Sequence, residues 1–166
     1  MYFLNRKERY GSHELDMHWY YPLTVSDEGV RGNVEPQIEA LDRSLRPIAD
    51  TWKLLKDYLG GSVRLYECTI SANAFGTEGR VHADLAAGDR RRGHVAALIY
   101  TSPRWDKDWA GELVVFDREG EIRAAVIPRP GRVVLLENDP VHVGRSVSRI
   151  CPAERRVLVF KLWRPK

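Results

Sequence analysis

The chain has 166 residues, 43 % apolar and 30 % charged, with a formal charge of +3. That balance fits one globular domain and is too weakly basic to indicate a nucleic-acid partner. Two cysteines without paired spacing, Cys68 and Cys151, exclude a disulfide scaffold and a cysteine-based zinc site, and fit a reducing cytoplasm. No run approaches the ~18 apolar residues of a membrane span, and the N-terminus turns charged by Arg6, so neither a membrane segment nor a leader is expected.

Residues 1–32 read as irregular with short extended pieces. Their apolar part, Met17 to Leu23, is an aromatic run expected to pack on the core. His13 and His18 are not spaced for one helical face, so they make no helical metal pair. From 33 to 60, Ile38, Leu41, Leu45, Ile48, Trp52, Leu55 and Leu59 recur at steps of three and four, which lays an apolar stripe along a helix. Asn33 suits the N-cap, Pro36 the first turn and Gly60-Gly61 the stop, while Pro47 should kink or split the helix. The stripe is expected to pack on the protein's own sheet.

After Gly61 the pattern becomes that of strands. They are expected over 63–70, around His82, and over 94–101, 112–117, 121–127, 132–137, 141–147 and 156–163, with Gly and Pro between them. Many short strands of this kind indicate a sandwich or barrel. The loop 87–93 carries Arg90-Arg91-Arg92, read first as a solvated charge run and alternatively as a contact for an anionic substrate. His94 opens a strand and is not expected to be a ligand.

Val81-His82-Ala83-Asp84 is the stretch with chemistry. In an extended strand, side chains two apart share a face, so His82 and Asp84 point the same way. With a second, distant imidazole, His142, they form the two-histidine, one-carboxylate set that holds non-haem Fe(II). Alone, the tripeptide reads first as an exposed pair at a strand end; the ordered landmarks downstream change that.

From about residue 63 to 163 the chain resembles the Fe(II)- and 2-oxoglutarate-dependent dioxygenases, in their prolyl-4-hydroxylase-like branch. Ser71 to Asp84 is similar to the loop and strand leading to that family's iron motif. Leu98-Ile99-Tyr100, Trp105, Ala110-Gly111-Glu112-Leu113, Pro128 with Gly131-Arg132-Val133-Val134, and His142-x-x-Arg145-x-Val147 follow in the family's order, closing with Arg155-Arg156 and a strand ending at Trp163.

The resemblance implies a mainly β fold with supporting helices: a double-stranded β-helix (jelly-roll, cupin-like) core. It implies one oxygenase domain over 1–166, with 1–62 as N-terminal helical support and 63–166 as the core. It further implies Fe(II) on His82, Asp84 and His142, with 2-oxoglutarate and O2 as co-reactants. The distal carboxylate of 2-oxoglutarate then falls to Arg156, with Arg155 as fallback, and to Tyr100, with Asn73 as a further polar residue of the pocket. A guanidinium suits a carboxylate because it binds it in a two-pronged fork. Leu158 stands where the branch usually has Ser or Thr, and His142 to Arg156 is a longer gap than in compact relatives. The implied reaction oxidises a C–H bond, releasing succinate and CO2. The carboxylate of Asp84 favours hydroxylation over halogenation. A small-molecule substrate, such as an amino acid, sugar or natural-product intermediate, is expected. The alternatives are a peptidyl hydroxylase, a cupin-like metal enzyme without 2-oxoglutarate, and a binding module that has lost its metal.

Overall fold

In the computed structural model, the described residues are 3, 4, 18–86 and 92–164. The strands are β1 (Phe3–Leu4), β2 (Trp19–Val25), β3 (Arg64–Asn73), β4 (His94–Tyr100), β5 (Leu113–Phe116), β6 (Ile122–Val126), β7 (Val133–Glu137), β8 (His142–Gly144) and β9 (Arg155–Trp163). They form an antiparallel sheet in the order β1-β2-β3-β9-β4-β7 and a smaller one in the order β6-β5-β8. This is the double-stranded β-helix architecture, mostly β with few helices. The expected strands from 63 onward are found within one to three residues at each end, with one exception. The stretch around His82 is not a strand. It makes a single bridge, His82 to His142, with N–H···O bonds of 3.0 and 2.8 Å in the two directions.

The helical stretch divides. Helix α1 covers Glu35–Glu39, a 3-10 turn follows at Arg43–Leu45, and helix α2 covers Arg46–Tyr58. Pro47 lies in the first turn of α2, where its missing N–H costs nothing, so the break falls just before it. Asn33 Oδ1 accepts the Glu35 N–H at 3.0 Å. Gly60 and Gly61 take positive φ beyond the last turn, a conformation that stops the helix at no steric cost to glycine.

Strand alternation sorts the large sheet into two faces. Ile38, Ala49, Trp52 and Leu55 of the helices pack on Cys68 of β3, Val95 and Ala97 of β4, and Leu158, Phe160 and Leu162 of β9. The stripe therefore covers the protein's own sheet, as its periodicity predicts. The opposite face meets the small sheet through Ala96, Leu113, Val115 and Leu136. Beside this second, smaller core the two sheets separate and leave a pocket lined by odd-numbered residues of β3 and β9 and even-numbered residues of β4.

Candidate metal centre

The pocket, about 150 Å³, is walled by β3 (Glu67, Thr69, Ser71, Asn73), β4 (Ala96, Leu98, Tyr100) and β9 (Arg155, Val157, Val159, Lys161). His82, Asp84 and His142 meet at it, with one donor atom from each lying within 4.8 Å of the others. His82 Nε2 is 3.9 Å from Asp84 Oδ1, and the two imidazole centroids are 4.5 Å apart. The bridge between residues 82 and 142 holds both rings side by side without a regular strand.

Each imidazole is oriented by its own backbone neighbourhood. His82 Nδ1 donates to the Arg80 carbonyl at 2.7 Å, and His142 Nδ1 donates to the Pro140 carbonyl at 2.9 Å. A carbonyl can only accept, so the proton sits on Nδ1 and the Nε2 lone pair of each ring is left for a metal. Burial pushes the pKa of His142 down, against the pull of Asp84, which keeps its ring neutral. Burial alone would raise Asp84. The ammonium of Lys161 and the neighbouring histidines outweigh it and hold the carboxyl well below the usual range. Two neutral imidazoles and one carboxylate are a donor set of the right charge and hardness for Fe(II).

Asp84 is braced from behind. Asp139, buried and at φ 55°, accepts the backbone N–H groups of Asp84 at 2.6 Å and Leu85 at 3.2 Å. Asp and Asn are among the few residues that adopt this left-handed conformation, and Asn138-Asp139 supplies both. Asp84, His94 and Asp139 also cluster within metal-binding distance. Because both Asp139 oxygens are engaged by backbone N–H groups, that cluster reads as support for Asp84. His94 is fully buried against the Tyr66 hydroxyl, 2.7 Å from its Nε2.

The two arginines opening β9 lie on opposite faces, and the inward one is Arg155 rather than Arg156. Arg156 shares strand parity with Leu158 and Phe160 and so points away from the pocket. It is half exposed, and its Nε donates to Glu154 at 3.2 Å. Arg155 faces inward and is 6 % exposed. Its Nη1 donates to the Gly111 carbonyl at 2.9 Å and its Nη2 to Asn73 Oδ1 at 2.6 Å. Its Nε and the hydroxyl of Tyr100 are both buried without a hydrogen-bond partner. Burial lowers the pKa of Arg155 and raises that of Tyr100. A buried guanidinium and phenol with unmet polar atoms suit a carboxylate, which would satisfy both. Asn73 belongs to this group by holding the guanidinium.

Three contributors escaped the sequence reading. Gly144 is one: a Cβ there would lie 2.3 Å from Arg155 Nη2, so the guanidinium can lie across β8 only over glycine. Asp139 is another. Lys161 is the third, a charged residue on the same strand face as Arg155 within the apolar run from Val157 to Trp163; that parity was a usable signal. Of the run Arg90-Arg91-Arg92, the first two residues lie outside the described residues, as do His13 and Met17, and Arg92 is exposed.

Comparison with known proteins gives the family and the fold. A family model, the 2OG-Fe(II) oxygenase superfamily, matches residues 55–163. Among solved structures, a Pseudomonas putida prolyl-4-hydroxylase is similar at 24 % identity and TM-score 0.55, over 90 % of this chain and 73 % of that one. A Trichoplax adhaerens prolyl hydroxylase, solved with a peptide fragment of the hypoxia inducible factor oxygen degradation domain, has TM-score 0.62 and 16 % identity over 98 % and 70 % of the two chains. A Burkholderia pseudomallei oxidoreductase of the 2OG-Fe(II) oxygenase family has TM-score 0.60 and 18 % identity over 89 % and 69 % of the two chains. No curated protein matches the sequence. The structural likenesses establish the fold, and the sequence match over most of the chain establishes more: this protein belongs to the 2OG-Fe(II) oxygenase superfamily, dioxygenases that use Fe(II), 2-oxoglutarate and O2.

Proposed function

We propose that the chain oxidises a C–H bond of a small-molecule substrate, holding Fe(II) on His82, Asp84 and His142 and the distal carboxylate of 2-oxoglutarate on Arg155 and Tyr100. One observation carries the assignment. A single pocket contains three convergent donors, with both Nε2 atoms freed by Nδ1–carbonyl bonds, and a buried guanidinium and phenol with unmet polar atoms. Fe(II) with 2-oxoglutarate and O2 supplies the oxidising chemistry, with succinate and CO2 as the other products.

The chain's own residues do the rest. Asn73 and the Gly111 carbonyl aim the guanidinium, and Gly144 gives it room. Asp139 holds the backbone of Asp84. Thr69, Ser71 and Tyr20 add a polar wall on the β2–β3 side, which suits a small polar substrate. Unpaired cysteines support a reducing compartment, the cytoplasm. Among the described residues, no helix is long and apolar enough to cross a membrane.

A peptidyl substrate is the second reading. It is favoured by the exposure of His82 and by the apolar Val81 and Phe75, which are 52 % and 64 % exposed. One structural neighbour is a prolyl hydroxylase solved with a peptide. The test is succinate formation from 2-oxoglutarate with Fe(II) in air, first alone and then with amino acids, sugars and proline-containing peptides. Succinate formation that requires His142 and rises with a small molecule, whose product gains one oxygen, supports the proposal. A rise with peptides only moves it to the second reading. Equal succinate from wild type and His142→Ala contradicts the site.

A further inference from the structure

Lys161 sits on the pocket face of β9, on the same side of the strand as Arg155 and six residues along it. Its side chain is 21 % exposed, and its Nζ is 2.9 Å from Asp84 Oδ1 and 3.3 Å from Glu67 Oε1. A lysine is rarely drawn this far inside without a partner. Here the partner is the one carboxylate of the proposed metal triad, and Glu67 holds the ammonium from the other side.

A carboxylate that ligates a metal through one oxygen leaves the second to an outer partner, and that partner decides how the ligand is presented. With both oxygens free, a carboxylate can also chelate, which would take a coordination position that the cosubstrate or O2 needs. Asp139 fixes the backbone of Asp84 but does nothing for the rotation of its carboxylate. Lys161 is the cation in contact with that carboxylate.

We propose that Lys161 is a positioning residue for Asp84: its ammonium, steadied by Glu67, fixes the rotation of the carboxylate so that only one of its oxygens is offered to the metal. The proposal rests on the reading of His82, Asp84 and His142 as the metal site. It also has a charge consequence. Asp84 and Glu67 carry two negative charges against the two positive charges of Lys161 and Arg155, so the pocket is neutral before a dication and a dianion enter together. Removing Lys161 and the charge of Glu67 in the same variant keeps that balance and isolates the positioning role.

The experiment uses the full chain loaded anaerobically with Co(II), whose ligand-field bands report coordination without turnover. Wild type is compared with Lys161→Met/Glu67→Gln. With folding checked by circular dichroism, the variant should show altered ligand-field bands and bind 2-oxoglutarate to the Co(II) form on the order of 10-fold more weakly, as loss of an outer-shell partner typically does. Unchanged bands, with 2-oxoglutarate affinity within about twofold of wild type, would overturn the proposal. A crystal structure of the wild-type Co(II) protein tests it without any variant. Asp84 should bind through one oxygen, with Lys161 Nζ still about 3 Å from the carboxylate. A two-oxygen chelate, or a Lys161 that has left the carboxylate, overturns it. Co(II) that binds away from the triad, or not at all, overturns the site assignment and this inference with it. Co(II) at the triad with an indifferent Lys161 overturns this inference alone.

Discussion

At the scale of single residues, the site depends on which side of a strand a side chain occupies. Arg155 and Arg156 are chemically identical neighbours, yet one lies in the pocket and the other pairs with Glu154 near solvent. Arg155→Ala should therefore weaken 2-oxoglutarate binding by about 100-fold, the loss of two charge-assisted hydrogen bonds. Arg156→Ala should change it by less than about twofold, since an exposed pair is worth little. Binding titrations of 2-oxoglutarate to the metal-loaded variants check both, and the reverse ranking would return the role to Arg156. Gly144→Ala is a second residue-scale test. The added methyl would lie 2.3 Å from Arg155 Nη2, so the guanidinium must leave its place. We expect a rise of at least about tenfold in the 2-oxoglutarate dissociation constant, with the melting temperature little changed because the methyl displaces a side chain in a pocket rather than core atoms.

At the scale of elements, β4 carries a histidine into the interior at its first residue. Burial pushes the pKa of His94 down, against the pull of Asp84 and Asp139. The unfolded chain takes up this proton near pH 6.5, whereas the folded chain takes it up only at lower pH. Across that window the unfolded state binds more protons, so stability falls as the pH drops below about 6.5 toward the folded value. His142 adds to the effect with the same sign. Thermal melting of the metal-free protein should lose stability between about pH 7 and pH 5. His94→Phe, although it strands the Tyr66 hydroxyl, should show a shallower slope over that range; an equal slope would assign the loss to other groups.

Element boundaries also explain what the sequence revealed. Apolar runs and Gly/Pro punctuation located the strands from β3 to β9, because each run is bounded by turn residues. The helical stripe was legible for the same reason, since Trp52 and Leu55 keep helical spacing on one face. What the sequence hid was parity and long-range support. Val157 and Val159 are apolar like Leu158 and Phe160, so β9 reads as greasy on both faces, and Lys161 alone, on the face of Arg155, signals which arginine turns inward. Asp139 and Gly144 matter only through partners 55 residues away, at Asp84, and on β9, which no local pattern announces.

At the scale of the whole molecule, the two faces of the large sheet divide stability from chemistry. Trp52 and Phe160, with ring centroids 5.7 Å apart, anchor the helices on the face away from the pocket. Trp52→Ala should cost about 3–5 kcal/mol in denaturant unfolding. Well below its melting temperature the variant should retain wild-type affinity for 2-oxoglutarate, because none of the pocket residues belongs to that core. A large affinity loss in a folded Trp52→Ala protein would mean that the helical layer shapes the site directly.

On the proposed site, one pocket holds both the metal and 2-oxoglutarate, the first on His82, Asp84 and His142 and the second by Arg155. The most direct measurement is an anaerobic titration of Fe(II) with and without 2-oxoglutarate, followed by visible absorption. A weak metal-to-ligand charge-transfer band should appear only when both are present, vanish in His142→Ala, and require far more 2-oxoglutarate in Arg155→Ala. Iron binding without the band, or a band indifferent to both substitutions, would contradict the account.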